Sequence, residues 1–156
     1  MAVDDLLNEG SELVAHRYQF TLWPRRWREY VRRHAWAIRK LQAAERRHIP
    51  HRPGIYTLLV QPRIARHPGC SYLMYVGQAV DLHERFGDYL SKERRDSGRP
   101  KIVRLLNLYP DHVWFCYAAA PRRSLDAIED ALSQAYIPPC NDRFPARISK
   151  VVRAFP

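Results

Sequence analysis

Cysteine and long apolar runs are scarce in this sequence of 156 residues. The three cysteines, Cys70, Cys116 and Cys140, are odd in number and far apart, with no Cys-x-x-Cys pair. They therefore predict reduced, packed thiols and exclude a disulfide framework or a cysteine-based zinc site. No apolar run approaches the ~20 residues that span a bilayer. The opening residues, MAVDDLLNEGSEL, are acidic where a signal peptide is basic, so we expect a cytoplasmic protein without membrane association.

Positive charge, by contrast, is abundant, with 26 Lys and Arg against 16 Asp and Glu and a net charge of +10. The charge is uneven. Residues 1–24 carry four acids and one arginine, whereas residues 25–52 carry ten Lys or Arg against two Glu, a local charge of +8. Such a balance favours a polyanionic partner, most often nucleic acid, and composition alone does not separate DNA from RNA.

The basic segment from Trp23 to His48 predicts an amphipathic helix. Pro24 suits a first helical turn, and apolar or aromatic residues recur at helical spacing, at Trp27, Tyr30 or Val31, His34, Ile38 and Leu41. Three interpretations of its arginine face stay open: a solvated surface, a membrane-surface helix, or contact with phosphates. In the phosphate interpretation the contacting residues are Arg25, Arg28, Arg32 and Arg39.

Two prolines in HIPHRP end this helix and indicate a linker near residues 49–53. We therefore expect an acidic leader and basic helix over residues 1–50 and a second domain over residues 51–156. In that domain the patterns predict strands at 54–60, 70–77 and 112–120, and helices at 81–93, 99–109 and 124–136. Asp81 and Ser124 are the expected N-caps. Antiparallel strands covered by helices predict an α+β domain.

Two tripeptides on the first two predicted strands are the most informative motif. Gly54-Ile55-Tyr56 is followed on the next strand by Tyr75-Val76-Gly77. Four residues then follow in order: Arg85, Tyr89, Glu129 and Asn141. In these elements the chain resembles the GIY-YIG endonuclease family over about residues 53–145. The resemblance implies a small three-stranded antiparallel sheet flanked by helices, to which the basic helix would be an N-terminal addition.

The resemblance also implies metal-dependent hydrolysis of phosphodiester bonds in DNA, with Mg²⁺ or Mn²⁺ as the cofactor. The implied catalytic residues are Tyr56, Tyr75, Arg85, Glu129 and Asn141. Among them Glu129 would hold the metal and Arg85 would face the scissile phosphate. Further candidates for supporting roles are Tyr89, Gly77, Gln78 and His83. The alternative is a non-catalytic module that binds DNA or RNA through the same fold and basic surface.

Each of the catalytic candidates also has a purely structural interpretation. Tyr56 and Tyr75 could be strand aromatics packed in a core, and Asn141 could shape the turn after Pro139. Arg85 lies at the edge of an apolar helix face, where it could snorkel or pair with Asp81 or Asp88. Its planar guanidinium equally suits a phosphate. Glu129 flanks the apolar stripe of the last helix, which consists of Leu125, Ile128, Leu132 and Tyr136. A carboxylate there is either a surface residue or a ligand of a hard cation.

Two features depart from the family pattern. Gln78 stands where some repair relatives carry a lysine, so one phosphate-directed charge is missing. The loop at residues 61–71 is longer than in the smallest relatives, and its Arg63 and Arg66 form either a DNA-contacting arm or a solvated surface. A single site cuts one strand per encounter, so double-strand cleavage would require a homodimer, successive nicks or a partner protein.

Overall fold

A four-stranded antiparallel sheet organises the chain in this computed structural model. The structure describes residues 23–30, 33–61, 71–91, 99–144 and 149. The strands are β1 (Ala37–Lys40), β2 (Gly54–Val60), β3 (Tyr72–Ala79) and β4 (Val113–Ala119), in the spatial order β1-β4-β2-β3. The α+β class is confirmed, and β2, β3 and β4 lie where the sequence predicts strands. The predicted number of three strands is wrong, because β1 adds a fourth.

β1 lies inside the segment that was predicted to be one long basic helix. The helix α1 covers only Pro24–Glu29, and a 3₁₀ helix covers Ala43–His48. Between them β1 pairs with the outer edge of β4, so backbone hydrogen bonds to a distant strand override the local helical periodicity. The pairing continues at Leu41, which is buried and donates its backbone N–H to Val113 O at 2.9 Å.

The remaining helices agree with the sequence patterns. They are α2 (Leu82–Leu90), α3 (Pro100–Leu108) and α4 (Leu125–Tyr136), the last preceded by a 3₁₀ turn at Arg122–Ser124. Asp81 caps α2, since its carboxylate accepts the backbone N–H of Glu84 at 3.0 Å. Ser124 is the residue before α4 but makes no side-chain cap bond. Within the described residues no helix has the length and apolarity needed to span a bilayer.

Apolar side chains pack on both faces of the sheet. On one face Ile55 and Val76 contact the apolar stripe of α4, which here consists of Leu125, Ile128 and Leu132. Tyr136 is not part of this stripe and is 43% exposed at the end of the helix. The larger cluster on the other face joins β2, β3 and β4 to α2 and α3. α2 and α4 therefore pack against opposite faces of the sheet.

Two of the three cysteines lie among the described residues. Cys116 is half-buried and Cys140 is buried, and both are free thiols, as predicted. Burial raises the pKa of Cys140 to about 11, so it is an unreactive packed thiol at neutral pH. Cys70 lies outside the described residues. The predicted division between residues 50 and 51 stays a prediction; β1 precedes it and pairs with β4, which follows it.

Candidate active site

A polar cavity of about 240 Å³ gathers most of the motif residues in one place. Its lining residues are Tyr56, Tyr75, Gln78, Arg85, Tyr89, Arg99, Ile102 and Glu129. Five elements supply them: β2, β3, the helices α2 and α4, and the beginning of α3. Hydroxyl, amide, guanidinium and carboxylate groups thus meet in a single cavity, although their residues are spread over 74 positions of sequence.

The two motif tyrosines converge because a glycine lies between them. In the register of the sheet Tyr56 is opposite Gly77, and the rings of Tyr56 and Tyr75 are 6.0 Å apart. A Cβ atom on Gly77 would lie 2.7 Å from both Tyr56 Oη and Tyr75 Cε1. That is closer than real Cβ contacts, so glycine is required here by space, and its φ is not positive. Gly77 therefore leaves the space that the rings of Tyr56 and Tyr75 occupy.

Tyr56 is enclosed on every side. Its ring stacks on Phe115 with centroids 4.9 Å apart, and its hydroxyl lies 2.8 Å from that of Tyr89. Burial raises the pKa of Tyr56 well above its ordinary value, and the neighbouring phenols of Tyr89 and Tyr75 act in the same direction. Arg85 is the neighbour that lowers it. In the free protein Tyr56 is therefore a neutral phenol.

Arg85 extends from α2 into the cavity. Burial lowers the pKa of Arg85, whereas Tyr56, Tyr89, Asp88 and Tyr75 together raise it, so the net pKa is raised and the side chain is a cation. One Nη lies 3.3 Å from Asp88, while Nε is buried without a hydrogen-bond partner among the described residues. Other arginines share an unpartnered Nε, so the cavity position is what distinguishes Arg85. Its guanidinium therefore lines the cavity, although Nε itself is buried.

Arg99 is a cavity residue that the sequence analysis did not find. It precedes α3, and its Nη1 donates a hydrogen bond to Tyr75 Oη at 3.1 Å. It places a second guanidinium in the cavity that Gln78 also lines. Nothing in the spacing of the sequence pointed to Arg99, because α3 has to fold back onto β3 to bring it there.

Glu129 provides the carboxylate of the cavity. It projects from α4 next to the buried Ile128 and is itself half-buried. Burial raises the pKa of Glu129 above its ordinary value, while a hydrogen bond from Gln78 and the charge of Arg99 oppose the rise. The Gln78 amide also donates to Asp126 Oδ1, one turn earlier on α4. Gln78 therefore connects the edge strand β3 to the helix that carries Glu129.

Asn141 supports the site from behind and does not line the cavity. Its Oδ1 accepts the backbone N–H of Val76 and its Nδ2 donates to Val76 O, both at 2.9 Å. β3 is an edge strand, so these backbone groups have no neighbouring strand on that side. The Asn141 amide replaces such a strand at the residue between Tyr75 and Gly77. The next bond in this row runs from Cys140 N to Met74 O at 2.9 Å.

Other predicted residues lie elsewhere. His83 faces His51 and Glu84 and does not line the cavity. In the basic segment Arg25 and Arg28 are exposed on α1, Arg25 paired with Glu29 at 2.8 Å. Arg39 lies on β1, 3.5 Å from Glu45. Three predicted nucleic-acid contacts lie outside the described residues: Arg32, Arg63 and Arg66.

Comparison with known proteins gives a match by structure alone. No protein-family model matches the sequence, and no curated protein is similar to it. Several solved structures that resemble it are GIY-YIG endonuclease domains. The magnesium-bound N-terminal domain of UvrC from Thermotoga maritima is 19% identical, with 63% of this chain and 92% of that chain covered and a TM-score of 0.43. A point mutant of the same domain, bound to its catalytic divalent cation, is 19% identical with 65% and 99% covered and a TM-score of 0.44.

Proposed function

We propose that this protein is a metal-dependent endonuclease that hydrolyses phosphodiester bonds in DNA. The observation that carries the proposal is the cavity itself, in which Glu129 meets two arginines and three tyrosines. Phosphoryl chemistry needs cations at the oxygens where negative charge grows, together with groups that position the attacking water. Arg85 and Arg99 meet the first need, and the tyrosine hydroxyls meet the second. The order of the motif residues, which resembles the GIY-YIG pattern, supports the same proposal.

The residues of the cavity fit a hard divalent cation. Glu129 is a half-buried carboxylate whose pKa is raised by burial, which marks a charge in need of a compensating cation. Mg²⁺ and Mn²⁺ take oxygen ligands, and Mg²⁺ commonly keeps several waters, for which a cavity of about 240 Å³ has room. We propose that Glu129 holds the ion. When bound, the ion would act as a Lewis acid that neutralises charge on the phosphate oxygens.

The remaining residues act directly on the substrate. Arg85, whose side chain lines the cavity, donates from its guanidinium to the scissile phosphate and stabilises the charge that develops there. Tyr56, as a neutral phenol hydrogen-bonded to Tyr89, orients the attacking water in this proposal. It would serve as a general base only if its pKa fell, and Arg85 acts in that direction.

Arg99 would supply the phosphate-directed charge that Gln78 lacks. Its bond to Tyr75 Oη at 3.1 Å fixes the guanidinium on the cavity wall. Since its side chain is anchored by one Nη, the other N–H groups can approach a phosphate. We expect Arg99→Gln to weaken cleavage at least about tenfold, because a charged hydrogen bond of ~1.5–3 kcal/mol is lost. Single-turnover cleavage measures this, and unchanged rates would remove Arg99 from the mechanism.

The basic surface supports a nucleic-acid substrate. The net charge of +10 favours phosphate binding, and Arg25 and Arg28 are exposed on α1. Replacing both with glutamine should lower duplex affinity. It should also reduce the slope of log Kd against log salt by about one or two, because each lost phosphate contact releases about one counterion fewer. An unchanged slope would show that α1 does not contact the nucleic acid and serves only to pack against α4.

One experiment separates an enzyme from a binding module. Supercoiled plasmid, linear duplex, single-stranded DNA and RNA are incubated with the protein and Mg²⁺, Mn²⁺ or EDTA. We expect nicking of DNA that requires the metal and is lost in Glu129→Gln. Asp130→Asn is the matched control, since Asp130 is the next residue on α4 but lines a different cleft with Arg26 and Tyr30. Binding without cleavage under every condition would favour the non-catalytic module.

A further inference from the structure

A second group of metal-ligating side chains lies at the beginning of α2, apart from the tyrosine-lined cavity. His51, Asp81 and His83 each offer one ligand atom, and the three atoms lie within 4.8 Å of one another. The rings of His51 and His83 are 3.9 Å apart, and His51 Nδ1 is 3.0 Å from Asp81 Oδ2. None of the three lines the cavity that contains Glu129. The group therefore has no part in the proposed cleavage reaction.

We propose that His51, Asp81 and His83 bind one divalent transition-metal ion of the Zn²⁺ type. Two imidazoles and one carboxylate form a donor set that suits Zn²⁺ and its neighbours, whereas Mg²⁺ prefers oxygen donors alone. Three protein ligands leave a fourth position for water. Ligands of a tetrahedral zinc ion lie roughly 3.4 Å apart, given bond lengths of about 2.1 Å. The side chain of His51 is 62% exposed, so its rotation can close the remaining distance.

Neighbouring side chains would orient the three ligands through hydrogen bonds. Glu84 Oε1 lies 3.1 Å from His83 Nδ1, so that nitrogen can donate to the carboxylate and leave Nε2 for the metal. Arg46 in turn lies 3.3 Å from the same Glu84 oxygen. Asp81 uses Oδ1 to cap α2, which leaves Oδ2 on the side of His51. The positive end of the α2 dipole opposes a cation there, and the carboxylates of Asp81 and Glu84 offset it.

Metal binding would join two segments of the chain. His51 belongs to the loop before β2, whereas Asp81 and His83 belong to the first turn of α2. Besides the contact between His51 and Asp81, the two segments already share a backbone hydrogen bond, from Leu82 N to Arg52 O at 3.0 Å. The same helix carries Arg85 into the cavity. The inferred role of the ion is to fix the beginning of α2 against this loop.

Titration of untagged, metal-free protein with Zn²⁺ tests the proposal by calorimetry. We expect one Zn²⁺ per chain, with affinity at least about tenfold weaker in His51→Ala and in His83→Gln. His48→Ala is the matched control, because His48 is an exposed histidine of the same segment outside the group. Co²⁺ should give the visible absorption of a nitrogen-ligated ion in the wild type and lose it in His51→Ala. Circular dichroism checks that each variant is folded.

Glu129→Gln separates this site from the cavity. It should bind Zn²⁺ as the wild type does, and excess Mg²⁺ should not displace the ion. Equal affinity in wild type and His51→Ala, loss of binding in Glu129→Gln, displacement by Mg²⁺, or no binding by the wild type would each overturn the proposal. Failure of DNA cleavage would leave it untouched, since the measurement does not depend on activity.

Discussion

Replacing Asn141 with alanine tests the role of the edge-strand clamp. The change removes two hydrogen bonds of 2.9 Å from the backbone of Val76, a residue with 0% exposure. A buried donor or acceptor left without a partner costs ~1–3 kcal/mol, and part of this is recovered if water enters. We therefore expect the free energy of unfolding to fall by ~2–4 kcal/mol. That is a large share of the ~5–15 kcal/mol typical of a domain.

Urea unfolding monitored by circular dichroism measures this loss. Asp142→Ala is the matched control, because within the described part of the chain the neighbouring Asp142 forms only an exposed ion pair with Lys101 at 3.1 Å, worth ~0–1 kcal/mol. Asn141→Asp should destabilise the protein as well, since one carboxylate oxygen would then face Val76 O. A loss below ~0.5 kcal/mol in Asn141→Ala would refute the reasoning. Asn141 would then have to be considered for a direct role in the cleavage reaction.

Three further predictions concern the cavity. Arg85→Lys keeps the charge but loses the planar fork, so single-turnover cleavage should fall about 10²–10³-fold with duplex affinity within a few-fold; near wild-type cleavage would leave Arg85 a structural residue. Because burial raises the pKa of the Glu129 carboxyl in the metal-free protein, protonation should compete with metal binding, so the metal concentration needed for half-maximal cleavage should rise as the pH falls; a metal requirement that does not change with pH would contradict this. Gly77→Ala should abolish cleavage and lower stability by ~1–3 kcal/mol, because its Cβ would collide with Tyr56. Gly87→Ala, whose Cβ would first meet the flexible end of the Arg46 side chain, should have a milder effect on thermal unfolding.

Local patterns were enough to predict most of the fold. β2 and β4 are apolar, β-branched or aromatic runs, and α2 and α4 have clear apolar stripes, so each element carries its own signal. β1 has no such signal. Its one large apolar residue, Ile38, is 41% exposed, while Arg39 is half-buried, which reverses the usual strand pattern. Pairing with β4 decides its structure, and the paired residues are 74 to 80 positions apart in the sequence.

The candidate site was predictable only in part. The motif order predicted which side chains could cooperate, and the structure places Tyr56, Tyr75, Arg85 and Glu129 around one cavity. Their catalytic roles stay a prediction. Arg99 was missed because its proximity to Tyr75 depends on the packing of α3. The clamp of Asn141 on Val76 joins residues 65 positions apart and was likewise invisible in the sequence.

The pairing of β1 with β4 affects how the protein can be divided for experiments. A fragment that starts at the motif, near Gly54, would lack β1 and leave one edge of β4, from Trp114 to Tyr117, without a neighbouring strand. Exposed strand edges of this kind pair with other chains, so we expect such a fragment to aggregate. A shortened protein for crystallisation or assays should therefore begin before Ala37, even though the recognisable motif begins 17 residues later.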